Sequence, residues 1–326
     1  MRRAARKLDK LDLSLEALHR KPLPAAVDAF LKMQEPIIAH GTMRNYRRVM
    51  NHFLAVAAAR ETRMLDEVLP ELIDLYRESR KIAPLTWVKE LQVLRHFFGF
   101  CCERDWIQKN PAKRVQMPRN LKPKSKAPYT ANEIISIIAA CDTFGRKAYE
   151  RTRARAMVLM LRYAALRVSD LATLKRSSVR GGRIVVSTMK TGAPINLPVP
   201  AELQRALDMV PLPQGADGNC EYFFWSGQGS TRAVIRGVTR TLGAVFRKSG
   251  VKGAHAHRFR HTLATEILER GGTAEDAANI LGNSPAMIRK HYAQQSIGRQ
   301  ERIFSLMQTV HAGTQLAQTE KQTAVC

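Results

Sequence analysis

The sequence is short of several things, and each shortage narrows what the chain is able to be. No apolar run approaches the ~20 residues that a membrane-spanning helix needs. Acidic residues are the minority, 28 Asp and Glu against 53 Lys and Arg in 326 residues, for a formal charge of +25 and a pI near 10.4. That excess is self-repulsive unless a polyanion neutralises it, and neutralising phosphates releases condensed counterions. Nucleic acid is therefore the expected partner, and a membrane is not. The five cysteines, Cys101, Cys102, Cys141, Cys220 and Cys326, are odd in number and lack Cys-x-x-Cys spacing. This argues against a disulfide framework and a zinc site and in favour of reduced thiols, mostly in packing positions. The start, MRRAARKLDK, turns charged where a secretory signal would turn apolar, so the protein is expected to stay inside the cell. Internal repeats are absent, and Gly and Pro are too few for a fibrous or wholly disordered chain.

What is present reads as two domains, since single cores stop growing before ~300 residues. A basic extension over residues 1–23 precedes a helical domain over 24–115. There, from Thr42, apolar residues at Tyr46, Val49, Met50, Phe53, Leu54 and Ala57 make the stripe of a half-buried helix. A second helix is expected from Leu65 to Tyr76, and a third carries Leu91, Leu94, Phe98 and Cys101, with Asn110-Pro111 as its stop. Residues 116–128, QMPRNLKPKSKAP, read as a basic linker. Thr130 with Glu133 three residues on is a capping box opening the second domain, residues 129–312. That domain is mostly helical around one hairpin, residues 183–187 and 194–199, whose turn is Met189-Lys190-Thr191-Gly192. A short amphipathic helix over residues 302–310 and a polar, disordered tail over 313–326 complete the reading. The fold class is mainly α with a small β element, α+β.

Four places hold chemistry. In HAHRFRHTLATEILERGG, His257, Arg260 and His261 share one helix face at i, i+3 and i+4. A single histidine there would be a solvated edge, but three cationic or proton-bearing groups near a helix start favour a phosphate pocket. Arg167 sits between an apolar helix and Ser169, a candidate N-cap; alone, it reads equally as a bridge to Asp170. Lys190 at the hairpin tip would ordinarily be an idle turn lysine. Tyr292 lies on a helix begun by Ser284 and Pro285, where a tyrosine is ordinarily a core residue.

In that order, Arg167, Lys190, the H-x-x-R-H of residues 257–261, the L-G-N of residues 281–283 and Tyr292 resemble the tyrosine recombinase (phage integrase) family across the whole second domain. The helical first domain resembles that family's SAM-like core-binding domain, and the short extension before residue 24 resembles simple two-domain members. The resemblance implies a site-specific recombinase or integrase that breaks and rejoins duplex DNA with neither metal nor ATP nor any other cofactor. Tyr292 would attack the phosphodiester and leave a 3′-phosphotyrosine. Arg167 and Arg260 would hold the non-bridging oxygens, since planar guanidinium forks suit a phosphate. Lys190 would protonate the 5′-oxygen, and His257 would assist proton transfer from Tyr292, whose free pKa of about 10 makes it a poor nucleophile unaided. Asp170 and His261 match supporting positions.

Asn283 departs from the family, many of whose members carry His or Trp there. It donates hydrogen bonds but cannot exchange protons near neutral pH. Outside the pocket, Arg44, Arg47, Arg48, Lys122, Lys124 and Lys126 are expected to clamp the duplex without reading it. The resemblance further implies a homotetramer in the synaptic complex, a monomer or dimer when free, accessory DNA-bending proteins as partners, and a cytoplasmic, nucleoid-associated life in a prokaryote, phage or mobile element. The terminal helix would dock on a neighbouring protomer or pack on its own. Two other readings remain at this point: a DNA-binding regulator that has lost strand exchange, and a topoisomerase-like nicking-closing enzyme.

Overall fold

In the computed structural model, which describes residues 20–118, 127–292 and 304–305, the chain separates into two units, Met1–Lys124 and Ser125–Cys326. Among the described residues the first unit has four α-helices: α1 Leu23–Gln34, α2 His40–Ala59, α3 Pro70–Glu78 and α4 Pro84–Cys102. Prolines in the first turn start α1, α3 and α4, where a missing N–H costs nothing. The core is aromatic, with Phe30, Phe53, Tyr76, Trp87, Phe97 and Phe98 all buried. Phe30 meets Phe97 and Phe100 edge-on at 5.5 and 5.4 Å. Val49, Met50, Phe53 and Ala57 of α2 face this core as their spacing requires.

Two boundaries differ from the sequence reading. Leu65–Glu67 is a separate 3-10 turn and α3 begins only at Pro70, because the residue before a proline is pushed to extended backbone; Leu69 has φ −98° and ψ 162°. α4 ends at Cys102, well before Asn110-Pro111, in a turn where Asp105 takes a left-handed φ of 55°. Asn110 instead caps a 3-10 turn through its side chain.

The second unit contains α5 Ala131–Asp142, α6 Ala148–Tyr163, α7 Val168–Ala172, a sheet, α8 Ala201–Asp208, α9 Thr231–Lys248, α10 Ala256–Glu269, α11 Ala274–Leu281 and α12 Pro285–Tyr292. The capping box at α5 is formed: Thr130 N–H donates to Glu133 (2.9 Å) and Glu133 N–H to Thr130 Oγ1 (3.2 Å). The sheet is an antiparallel meander of β1 Val179–Arg180, β2 Arg183–Ser187 and β3 Pro194–Pro198, so the expected hairpin carries one strand more. The extra turn is Gly181-Gly182, both with positive φ, the conformation that a two-residue hairpin loop requires. Helix α7 starts at Val168, which makes Arg167 its cap residue and leaves Ser169 inside the helix.

A large core joins α5, α6, α8, α9 and the sheet. A smaller one, Ala165, Ala264, Leu268, Ala277, Ala278, Leu281 and Ile288, binds the turn before Arg167 to α10, α11 and α12. Cys101, Cys141 and Cys220 are buried thiols, and burial pushes Cys101 and Cys141 up to about 12. Among the described residues no helix is long and apolar enough to cross a membrane. The terminal helix and tail, apart from the helical, exposed Phe304 and Ser305, lie outside the described residues, as do most of the basic extension and residues 119–126 of the linker.

Candidate active site

The smaller core is the floor on which the sequence motifs meet. α6 is apolar enough to be buried from Ala156 to Leu161, and the chain leaves it through Ala164, Ala165 and Leu166, all buried. Ala165 has φ 46°, a left-handed conformation that a residue with a Cβ seldom takes. Its carbonyl is turned to Arg260, whose Nη1 donates to it at 2.5 Å. Two residues on, Arg167 sits in extended backbone before α7, with its side chain 19% exposed.

Arg260 comes from α10 and is 2% exposed. Its Nη2 donates to Leu281 O at 2.6 Å and to Asn283 Oδ1 at 3.3 Å. Arg167 Nη2 donates to the same Asn283 oxygen at 2.7 Å and to Gly282 O at 3.2 Å. The two guanidinium groups thus converge on one amide oxygen. The carbonyls beside it end α11, where the helix dipole is negative and favours cations. Gly282 closes α11 in left-handed backbone, φ 57° and ψ 46°; a Cβ there would fall 3.0 Å from Thr188 and 3.4 Å from Ile195. Only glycine lets this turn lie against the sheet.

The sheet delivers Lys190. Met189 N–H donates to Asp170 Oδ1 at 2.9 Å, and Thr188 is buried against Gly282. The hairpin is therefore fixed at its base to α7 and to the turn holding both arginines, while Lys190 itself stands exposed. Asp170 is 6% exposed, with Oδ2 4.0 Å from Arg167 Nη1. That Nη1 is buried and accepted by no hydrogen-bond partner among the described residues.

His257 and His261 lie on the same helix as Arg260, their rings edge to face at 5.0 Å. Loss of hydration, then the positive groups of His261, Arg260, His255 and Arg167, push the His257 pKa down to about 4, although the residue keeps an open side to solvent. Its ring is neutral at pH 7 and can accept a proton. Tyr292 is the last residue of α12. Ser284 starts that helix as expected, its Oγ accepting from Met287 N–H at 3.4 Å, and buried Ile288 pins the helix to the smaller core.

The peripheral cations divide. Arg44 is exposed, and Arg47 is exposed but paired with Glu35 at 2.5 Å. Arg48 is exposed as well, but it donates to Glu90 at 2.9 Å and to Asn45 at 3.0 Å, so it also neutralises a buried carboxylate. Lys122, Lys124 and Lys126 lie outside the described residues. Missed altogether was α9. Its eighteen residues contain no Asp or Glu, and Arg232, Arg236, Arg240 and Arg247 share an exposed face without an ion pair among the described residues. Val238, Leu242, Val245 and Phe246 bury the other side. An acid-free stretch of that length was a usable signal.

The chain is of the tyrosine recombinase class, enzymes that break and rejoin DNA strands. The model of the phage integrase family matches residues 129–298, and the chain belongs to that family. It is 25% identical over 276 residues to a tyrosine recombinase XerC of Roseiflexus sp. (strain RS-1), covering 79% of this chain and 85% of that one. To tyrosine recombinase XerD of Caulobacter vibrioides it is 24% identical over 301 residues, 88% and 96% of the two chains. Its fold resembles a lambda integrase dimer bound to a COC′ core site, with TM-score 0.64 and 18% identity over 86% of this chain and 80% of that one. A Tn1549 transposon integrase in complex with a circular intermediate DNA gives TM-score 0.65 and 17% identity over 87% and 99%.

Proposed function

We propose that Tyr292 is the nucleophile of a site-specific recombination reaction in which its phenolic oxygen attacks the scissile phosphorus. The P–O5′ bond breaks and a 3′-phosphotyrosine forms. Lys190 gives the 5′-oxygen its proton, and the phenol's proton passes to His257. Rejoining runs these transfers backwards, so the bond energy is conserved and no nucleotide is hydrolysed. Arg167 and Arg260 hold the non-bridging oxygens, where charge grows in the transition state and preorganised donors act most strongly. Asp170 and His261 support the pocket.

The observation that carries this reading is the meeting of Arg167 and Arg260 at one point, with a buried guanidinium nitrogen on Arg167 that makes no hydrogen bond among the described residues. A phosphate oxygen supplies what that nitrogen lacks, and burial of a polar group is costly until it is satisfied.

The duplex is bound by the basic surface. In the second unit the face of α9 serves, in the first Arg44 with Arg47, and along the linker Lys122, Lys124 and Lys126. The first unit, residues 24–115, acts as the core-binding domain and residues 129–312 as the catalytic domain. A lambda integrase tetramer bound to a Holliday junction shares the fold at TM-score 0.62 and 18% identity, which supports a synaptic homotetramer of this chain. Free protein is then a monomer or dimer, accessory DNA-bending proteins assist it, and its work is on DNA in a prokaryotic cytoplasm.

A nicked suicide substrate that cannot be religated tests the chemistry. A covalent protein–DNA adduct forms, persists in EDTA and disappears in Tyr292→Phe. An adduct unchanged by that substitution removes the assignment and leaves a basic DNA binder.

A further inference from the structure

Asn283 stands where a histidine or tryptophan was expected, and its surroundings give it work that neither of those can do. Its backbone is fixed from both sides. Asn283 N–H closes α11 by donating to Ala278 O at 3.0 Å, and the next residue, Ser284, opens α12. The side chain therefore leaves the chain at a rigid junction between the helix that ends under the arginines and the helix that bears Tyr292.

From there Oδ1 accepts from Arg167 Nη2 at 2.7 Å and from Arg260 Nη2 at 3.3 Å. An amide oxygen has two lone pairs and can accept both hydrogen bonds at once. A nitrogen in its place would set N–H against N–H, so the oxygen is the atom turned to the guanidinium groups. The planar amide then directs Nδ2 away from them; Asn283 is only half-buried, and with no hydrogen bond from Nδ2 among the described residues, that nitrogen can donate to an oxygen arriving from solvent. Two like charges brought this close repel, and the shared acceptor, with Leu281 O and Gly282 O beside it, offsets that repulsion without adding a charge of its own.

We infer that Asn283 is a positioning residue: its amide oxygen sets the spacing of the Arg167 and Arg260 guanidinium groups before DNA arrives, and its amide nitrogen donates a hydrogen bond to the phosphate they bind. This rests on the phosphate-clamp reading of the site and assigns the departure from the family a function. A neutral imidazole offers one acceptor and could hold one arginine; an imidazolium offers none and adds a third positive charge. An indole offers only a donor. The amide does both tasks at every pH at which the protein is folded.

Single-turnover cleavage of the suicide substrate by the full chain, alongside single-site DNA binding and thermal unfolding, separates the two halves of the amide. Asn283→Asp keeps the acceptor but loses the donor and sets a negative charge beside the phosphate. It should unfold no earlier than the parent yet cleave about 100-fold more slowly, the usual cost of one transition-state donor. Asn283→His should cleave with a new dependence on pH between about 5 and 8, through its own imidazole. In a double-mutant cycle of Asn283→Ala with Arg167→Lys, the combined loss should fall about tenfold short of the product of the single losses, because both break one arrangement. Additive losses, or an Asn283→Asp enzyme that cleaves like the parent, overturn the inference. Adduct formation by Tyr292→Phe would instead overturn the catalytic reading beneath it, and the two failures are told apart in one assay.

Discussion

Each unit of this protein buries charge, and the two do it in opposite ways. In the first, the fully buried carboxylate of Glu90 accepts from Tyr76 at 2.7 Å, from Arg48 at 2.9 Å and from Arg80 at 3.0 Å, so both oxygens are occupied and the network is closed. In the second, Arg260 and Arg167 lie under carbonyl groups and one amide oxygen, and among the described residues a nitrogen of Arg167 is left without a hydrogen bond. A closed network serves the fold, whereas an open one waits for an anion. Substitution should expose the difference. Arg167→Ala and Arg260→Ala should each lower single-turnover cleavage by about 1,000-fold, the upper range for a lost transition-state donor, while DNA affinity falls only by the share of one phosphate contact in a broad basic footprint. Equal losses of cleavage and binding would make these arginines as structural as Arg48.

The next largest effect belongs to the closed network. Glu90→Ala strands Arg80, which is 18% exposed, but Arg48, 40% exposed, can turn to water. The cost should therefore sit at the low end for a broken buried pair, about 3 kcal/mol, read from urea unfolding at constant m. Cleavage per folded molecule should not change. A Glu90→Ala protein as stable as the parent would show that the network contributes nothing net.

Acid should then separate the two units. Arg80, Tyr76 and Arg48 hold Glu90 below its ordinary 4.5 against the opposing pull of burial. A lowered carboxylate stabilises the fold above its unfolded value, and that contribution is lost only as pH falls through its folded one. His257 is lowered from 6.5 to about 4. Between those values the unfolded chain binds the proton and the folded one does not, so the second unit loses stability as pH falls from about 6.5 to about 4. Hydrogen exchange should find the second unit loosening first on acidification, with the first unit holding to below about 4.5. An NMR titration should place the His257 midpoint near 4 and move it upward when a phosphodiester occupies the clamp, because the anion offsets the positive groups that lower it. A midpoint near 6.5 in the free protein would leave the ring without the surroundings described.

How much of this was readable beforehand depended on distance along the chain. The capping box at Thr130, the strands around Lys190, and the start of α12 at Ser284 rest on neighbours within a few residues, and the structure has them as expected. Gly181-Gly182 was an equally local signal that went unread, and β1 with it. The helix expected across Pro70 shows a local steric rule overlooked in favour of an apolar stripe. Arg48 could not be read, since its partner Glu90 is 42 residues away and nothing in the α2 sequence marks one arginine of three as sequestered. The candidate site lies between these cases. Its residue types and order are a matter of motif, but the shared oxygen of Asn283 and the left-handed Ala165 beneath Arg260 arise only when three distant segments meet on one small core.

The smallest predicted effect concerns cations at the surface, and it decides whether α9 deserves the place given to it over α2. Each phosphate contact contributes about −0.9 to the slope of log affinity against log salt. Arg236 is exposed and unpaired among the described residues, so Arg236→Ala should flatten that slope by about 1 and weaken binding equally on any sequence. Arg48 is already spent on Glu90, and Arg48→Ala should leave the slope nearly unchanged while lowering the stability of the first unit. Arg44, exposed on the same helix as Arg48, provides the internal control: if it touches the duplex, Arg44→Ala should behave like Arg236→Ala. A slope that responds to Arg48 and not to Arg236 would reverse the comparison, making the first unit the open side of the molecule and the α9 face a merely solvated one.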